Sequence, residues 1–123
     1  MKRSTARELA FKAIYSRFFN AEVEEEIKDI DKEGLEFVNN ILTHYTEYKH
    51  NINDIIATHL KGYTIDRLYK IDLAILVLAI IELHYIKENP TEVVINEAVE
   101  LAKKYSTEKS PRFIHGVLAD ILK

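Results

Sequence analysis

The chain has 123 residues, of which 47% are hydrophobic and 30% are charged, and its formal net charge is −3. This length suits one domain over residues 1–123, with a core that needs no metal or disulfide for stability. There is no cysteine, which excludes disulfides and thiolate-bound metals. The longest apolar run, residues 73–81, is shorter than the ~20 residues of a membrane-spanning helix, and the N-terminus has no signal-peptide pattern. We therefore expect a cytoplasmic protein with no membrane contact.

The charged residues are unevenly distributed. Two basic clusters lie near the ends of the chain, and an acidic stretch over residues 20–36 follows the first. The first cluster contains Lys2, Arg3, Arg7, Lys12 and Arg17, and the second contains Lys103, Lys104, Lys109 and Arg112. Such clusters are usually solvated helix faces, with nucleic-acid binding as the alternative. The negative net charge argues against indiscriminate binding of nucleic acid through bulk charge.

The first helix is predicted from Thr5 to about Phe19. Residues 5–8 read Thr-Ala-Arg-Glu, a capping box in which the Thr5 hydroxyl and the Glu8 carboxylate bond backbone amides. Apolar residues at helical spacing follow. The acidic stretch after this helix predicts a loop that ends at Asp31.

Two further helices are expected between Asp31 and Gly62. Asp31 is a preferred cap for the second helix, and Asn51 for the third. Gly62 is expected just past the end of the third helix, where glycine is common. Residues 64–69 predict a short helical turn.

Residues 71–86 are apolar on nearly all sides. Their periodicity does not separate a buried helix from a buried strand, but their length exceeds that of a usual strand and favours a central helix. Pro90 opens a fifth helix, and Ser110 with Pro111 opens a sixth as N-cap and first residue. Gly116, inside the sixth helix, predicts a close approach of another backbone. The fold class is therefore all-α, with about six helices around a buried central helix.

The motifs of catalytic and metal sites are missing. The five histidines form no His-Glu-x-x-His motif, and there is no glycine-rich phosphate loop or Gly-x-Ser-x-Gly elbow. Glu82 follows the longest apolar run, and we expect it to be a hydrogen-bonded core or boundary residue rather than a catalytic one. The sequence predicts no enzymatic activity, no cofactor and no metal site.

Three blocks of sequence carry a resemblance to a known family. The first block is ARELAFKAIY at residues 6–15. The second consists of IDRL at residues 65–68 and IDLAIL at residues 71–76. The third consists of VINEAVELAKKY at residues 94–105 and FIHGVL at residues 113–118. In this order the blocks resemble the NusB family of bacterial transcription antitermination factors. The resemblance implies two three-helix halves. It also implies binding of the boxA element of ribosomal RNA transcripts, within the transcription elongation complex, as a heterodimer with the ribosomal protein NusE.

The resemblance also indicates site residues, because in the family the start of the first helix and the loop before the last helix form one RNA-contacting surface. Lysine and arginine suit phosphates, and aromatic rings suit unpaired bases. The residues so implied are Lys2, Arg3, Arg7, Tyr15, Lys109, Ser110, Arg112 and Phe113. Asp72, at the start of the central helix, is the expected contact to NusE. Phe113 has a second interpretation as a core anchor, since it begins an inward row.

The chain departs from the family pattern at several positions. The arginine run before the first block is thinned to residues 2–5, Val77 and His115 replace an arginine and an asparagine, and Lys109 stands where relatives often have an acidic residue. Two other functions stay open: a helical protein-interaction or dimerisation module, and an accessory domain of a ribosomal RNA methyltransferase system. The sequence also leaves open whether the protein is a monomer or a homodimer.

Overall fold

The computed structural model describes residues 3–20, 30–62 and 64–123, and in these ranges the chain is helical without any strand. The helices are α1 (Arg3–Arg17), α2 (Lys32–Thr58), α3 (Lys70–Ile80), α4 (Thr91–Tyr105) and α5 (Ser110–Ile121). A 3-10 turn at Ile65–Arg67 precedes α3, and a π-helical segment at Ile81–Ile86 continues it. The all-α prediction is confirmed. Most of the predicted acidic loop lies outside the described residues.

Helix α3 forms the centre of the fold, as its composition predicts. Residues 72–82 are all buried. Helices α1 and α2 pack against each other and against α3, and so do α4 and α5. Burial of each large aliphatic side chain stabilises the fold by roughly 1.5–3 kcal/mol relative to exposure, so this helix supplies much of the hydrophobic free energy.

The division of residues 31–62 into two helices is wrong, because α2 is continuous. Asp31 does cap it, since the Gly34 amide donates to an Asp31 carboxylate oxygen at 2.8 Å. Asn51 lies inside the helix, where its neighbours Ile52 and Ile56 are fully buried. Packing of these side chains outweighs the weak preference of asparagine for helix ends. The described part of the fold therefore has five α-helices, which is roughly consistent with the predicted number.

The capping box predicted at Thr5 is also absent. Helix α1 begins at Arg3, so Thr5 lies within its first turn. The Glu8 carboxylate accepts hydrogen bonds from Lys104 and from the Tyr105 hydroxyl of α4 instead of reaching back along its own helix. Glu8 thus bonds side chains of another helix in place of the backbone amides at the start of its own helix.

The start of α5 differs by one position from the prediction. Ser110 is the first helical residue rather than the cap, and Pro111 follows in the first turn as expected. The expectation for Gly116 is wrong, because this residue is exposed and an added Cβ would meet nothing within 4 Å.

In the described ranges no helix combines the length and apolar character needed to cross a membrane.

Candidate nucleic-acid interface

The start of α1 lies beside α4 and the loop that precedes it. The Arg3 guanidinium is 3.5 Å from a Glu88 carboxylate oxygen and 4.6 Å from the centre of the Phe37 ring. The Ser4 hydroxyl donates to Glu97 at 2.8 Å. The Arg3 side chain remains 37% exposed, so it can exchange Glu88 for a phosphate at little cost. Lys2, the other candidate here, lies outside the described residues.

A second group of cations surrounds Tyr105 at the end of α4. The Lys12 and Lys104 ammonium groups lie 5.6 Å and 5.4 Å from the centre of the Tyr105 ring. Lys104 also pairs with Glu8 at 2.8 Å. These contacts hold two positive charges beside an aromatic ring, an arrangement that suits a phosphate next to a base.

The third group lies at the start of α5. Lys109 and Arg112 are exposed, whereas Phe113 is half-buried and packs against the core. Phe113 stands between two surface grooves. One groove, of about 420 Å³, is also lined by Arg112 and Gly116, and the other, of about 400 Å³, by Lys109. Both interpretations of Phe113 therefore agree with its position, because the ring has a core side and a groove side.

The two predicted basic clusters meet where α1 lies beside α4, because Lys12 of the first cluster and Lys104 of the second both lie beside the Tyr105 ring. Ser4 contacts Glu97, and further along both helices Glu8 contacts Lys104, so the helices run side by side in the same direction. At 1.5 Å per residue, Glu97 lies ~12 Å along α4 from Tyr105. Five cations of these segments are here called the basic strip: Arg3 and Lys12 of α1, Lys104 of α4, and Lys109 and Arg112 at the start of α5.

Arg7 does not belong to this strip, and its assignment to an RNA-contacting surface is corrected here. Arg7 is 2% exposed, and its Nε donates to both carboxylate oxygens of Glu82 at 2.8 and 3.1 Å. A second carboxylate oxygen, on Glu97, lies 3.8 Å from Nη1. A guanidinium enclosed in this way contacts no solvent-borne phosphate. Glu82 is the hydrogen-bonded core residue that the sequence predicts.

Asp72 and Ser110 are likewise interior. They are 3% and 1% exposed, and the Ser110 hydroxyl donates to an Asp72 carboxylate oxygen at 3.1 Å. The other carboxylate oxygen accepts from the Ser106 hydroxyl at 2.5 Å, and Ser110 also accepts from the Thr107 amide at 3.2 Å. These bonds tie the loop before α5 to the start of α3. The Asp72 carboxylate and the Ser110 hydroxyl are thus already engaged in internal hydrogen bonds, and their contacts with NusE and with RNA stay predictions.

Tyr15 is half-buried near the end of α1. Its ring packs edge-on against Phe18 and Phe19, with centres 6.5 Å and 5.1 Å apart. Phe19 is 56% exposed. Tyr15 is therefore one member of a partly exposed aromatic cluster, and its contact with RNA stays a prediction.

Tertiary contacts reveal site residues that the sequence did not single out. Tyr105 was not among the predicted site residues, yet two ammonium groups lie within 6 Å of its ring centre. Tyr69, which is 64% exposed, and Arg67 line the groove beside Lys109. No periodicity marks them, because they lie at irregular backbone around the 3-10 turn. Within residues 3–20, 30–62 and 64–123, no group of three or more histidine, aspartate or glutamate side chains is arranged to hold a metal ion.

The fold and these side chains define a small all-helical protein that has exposed cations and partly exposed aromatic rings. The model of the NusB family matches residues 4–123. The chain belongs to the NusB family.

Named relatives match over nearly their whole length. The transcription antitermination protein NusB of Finegoldia magna is 38% identical over 130 residues, which cover 100% of this chain and 95% of the relative. The protein of the same name from Bacillus cereus is 38% identical over 126 residues, with 98% and 97% covered.

Solved structures agree with the fold. T. maritima NusB superposes with a TM-score of 0.91 at 35% identity, covering 98% of this chain and 90% of that one. A crystal structure of the antitermination factors NusB and NusE in complex with double-stranded RNA has a TM-score of 0.86 at 29% identity, covering 97% and 94%.

Proposed function

We propose that this chain is a transcription antitermination factor of the cytoplasm that binds boxA-type single-stranded RNA as a heterodimer with NusE, within the transcription elongation complex. It acts by binding rather than by catalysis. The observation that carries the proposal is the start of α5, where exposed Lys109 and Arg112 flank the Phe113 ring. Membership of the NusB family and the NusB–NusE–RNA complex of a related chain support the same conclusion.

The electrostatics of the basic strip explain why a partner is needed. Arg3 pairs with Glu88 and Lys104 with Glu8, and the net charge of the chain is −3. Exposed pairs of this kind contribute roughly 0–1 kcal/mol, so phosphates can replace the carboxylates, but the net gain is small. A protein with this strip should bind RNA weakly alone and more tightly when NusE supplies further contacts.

The test is a salt titration of RNA affinity, with and without NusE. Each phosphate neutralised on a single strand contributes a slope of about −0.7 to the dependence of log affinity on log salt. Three contacts from the basic strip predict a slope of about −2. Arg112→Gln should reduce the slope by ~0.7 and weaken binding of all sequences alike. Lys49→Gln, at an exposed position of α2 outside the strip, is the matched control and should change nothing.

Phe113→Ala separates stacking from charge. If the ring stacks on a base, the variant should lose about 1–3 kcal/mol of binding free energy with an unchanged salt slope. Thermal unfolding of the same variant is the control, because removal of a fully buried phenylalanine costs about 3–5 kcal/mol of stability. A large stability loss with RNA affinity intact in the folded fraction would assign Phe113 to the core alone.

Other outcomes would contradict the proposal. Tighter binding of a duplex of the same sequence than of the single strand would make double-stranded RNA the ligand. If the RNA affinity of the parent protein did not depend on salt, the basic strip would not be an RNA-binding surface. Absence of RNA binding together with self-association would favour a dimerisation module.

A further inference from the structure

The groove of about 400 Å³ between the 3-10 turn and the start of α5 has a composition unlike the rest of the surface. Tyr69 and Phe113 supply aromatic lining, and Arg67 and Lys109 supply positive charge. Sites for small ligands generally occupy ~300–1,000 Å³, so this groove has room for one small ligand or one unit of a polymer. Phe113 is its wall toward the neighbouring groove that Arg112 lines.

Tyr69 is the most exposed large hydrophobic side chain among those in the described ranges, at 64%. It immediately precedes α3, and its side chain makes no capping hydrogen bond there. Its backbone is nevertheless fixed, because the Leu73 amide donates to the Tyr69 carbonyl at 3.0 Å. An exposed ring on a fixed backbone is a stacking surface whose ordering cost is already largely met by the fold.

Arg67 and Lys109 differ from three other cations of this surface in their ion pairs. Arg3, Lys103 and Lys104 all pair with carboxylates, whereas neither Arg67 nor Lys109 makes an ion pair within the part of the chain that the structure describes. An incoming anion therefore displaces no bound carboxylate from these two side chains. The charge of Arg67 does act on the neighbouring carboxylate of Asp66, which lies outside ion-pair distance. The Thr64 hydroxyl donates to Asp66 and lowers the pKa of that carboxyl.

The floor of the groove is rigid. Asp72 and Ser110 contribute to its lining and are almost fully buried, and they bond each other, Ser106 and Thr107. This network ties the start of α3, which Tyr69 precedes, to the start of α5, where Phe113 lies. The groove is thus formed before any ligand arrives.

We propose that this groove holds one nucleotide of the bound RNA strand, with the base against Tyr69 and Phe113 and the adjacent phosphates near Arg67 and Lys109. The proposal rests on the proposed function and extends its surface beyond the basic strip to the 3-10 turn. Positive charge without paired carboxylates favours a polyanion over a neutral protein surface, and the shared Phe113 wall makes the groove continuous with the strip.

The experiment measures affinity for a single-stranded boxA-type oligoribonucleotide, with NusE present, in three variants of the full chain. Tyr69→Ala should weaken binding about 5- to 100-fold without changing the salt slope, and Tyr69→Phe should restore it, because the ring alone stacks. Arg67→Gln should reduce the slope by ~0.7. Lys70→Gln is the matched control. Lys70 is exposed and close in sequence to Arg67 but does not line the groove. The salt slope of RNA binding should therefore change less in Lys70→Gln than in Arg67→Gln.

Three results would overturn the inference. If Tyr69→Ala binds like the parent while Arg112→Gln is weakened, the groove is not used and the proposed function stands. If the parent protein itself binds no RNA, both fail. If Tyr69→Ala weakens NusE binding equally in the absence of RNA, the groove belongs to the protein interface instead.

Discussion

Arg7 and Glu82 form a buried ion pair that joins α1 to the π-helical segment. The Arg7 Nε lies 2.8 and 3.1 Å from the two carboxylate oxygens, and both residues are 2% exposed. Asn89 adds a hydrogen bond to the same carboxylate at 3.4 Å. Such a pair adds little net stability over a well-packed apolar pair, but removal of one partner leaves a buried charge uncompensated.

We therefore expect Arg7→Met to destabilise the protein by about 3–5 kcal/mol in urea unfolding, and the double variant Arg7→Met/Glu82→Leu to recover much of that loss. Arg3→Met is the surface control and should stay within about 0.5 kcal/mol of the parent. Unchanged stability in Arg7→Met, combined with a smaller salt slope of RNA binding, would return Arg7 to the RNA-contacting surface.

Asp72 provides the second prediction. Asp72→Ala removes the acceptors of the Ser106 and Ser110 hydroxyls, and hydrogen bonds to charged groups contribute ~1.5–3 kcal/mol. Unfolding free energy should fall by at least that much, and Asp72→Lys should be worse because it buries a cation. NusE affinity should stay normal in the folded fraction. The opposite pattern, full stability with lost NusE binding, would restore the partner contact that the resemblance implies.

Glycine variants test the open surface of α5. Gly116→Ala should stabilise the protein by roughly 0.5–1 kcal/mol, because alanine is the better helix former and its Cβ meets nothing within 4 Å. Gly62→Ala should destabilise it, since φ at Gly62 is +87°. Thermal unfolding measures the melting temperatures of both variants against that of the parent protein. A lower melting temperature for Gly116→Ala would mean that another surface covers this face.

The His59–Asp120 contact, 2.7 Å long, ties the end of α2 to α5. The hydrogen bond from His59 lowers the pKa of Asp120 below its ordinary value of 3.8. The stabilisation is therefore fully present above pH ~4 and is lost as the pH falls through the folded pKa of Asp120. NMR titration of the Asp120 carboxyl should show this pKa rising in His59→Gln. An identical Asp120 pKa in parent and variant would contradict the role of the His59 hydrogen bond.

Local patterns predicted the helical class, the Asp31 cap and the buried helix at residues 71–86, because these depend on residues near in sequence. They divided α2 at Asn51, where the deciding interactions are the buried side chains of Ile52 and Ile56. They also assigned Glu8 to a capping box, although Lys104 and Tyr105 are its partners. Tertiary packing decided each of these cases, and a single sequence does not reveal it.

The residues of the candidate site also differ in whether the sequence could predict them. Lys109, Arg112 and Phe113, which the resemblance indicates, lie at the start of α5, and their contact with RNA stays a prediction. Arg7 could not be separated from its basic neighbours by sequence, since its inward direction depends on Glu82 lying opposite. Tyr69 gave no signal at all, because exposure of a ring is a property of the folded surface.

The continuity of α2 has a mechanical consequence. Its 27 residues span ~40 Å as one rod, with α1 packed along it and α5 tethered by Asp120 at its far end. A helix without proline or a break curves only gently, so a sharp bend between the α1 side and the α5 side would require disruption of α2. We expect an RNA strand to meet a stiff template, and any adjustment on binding to come from the strand.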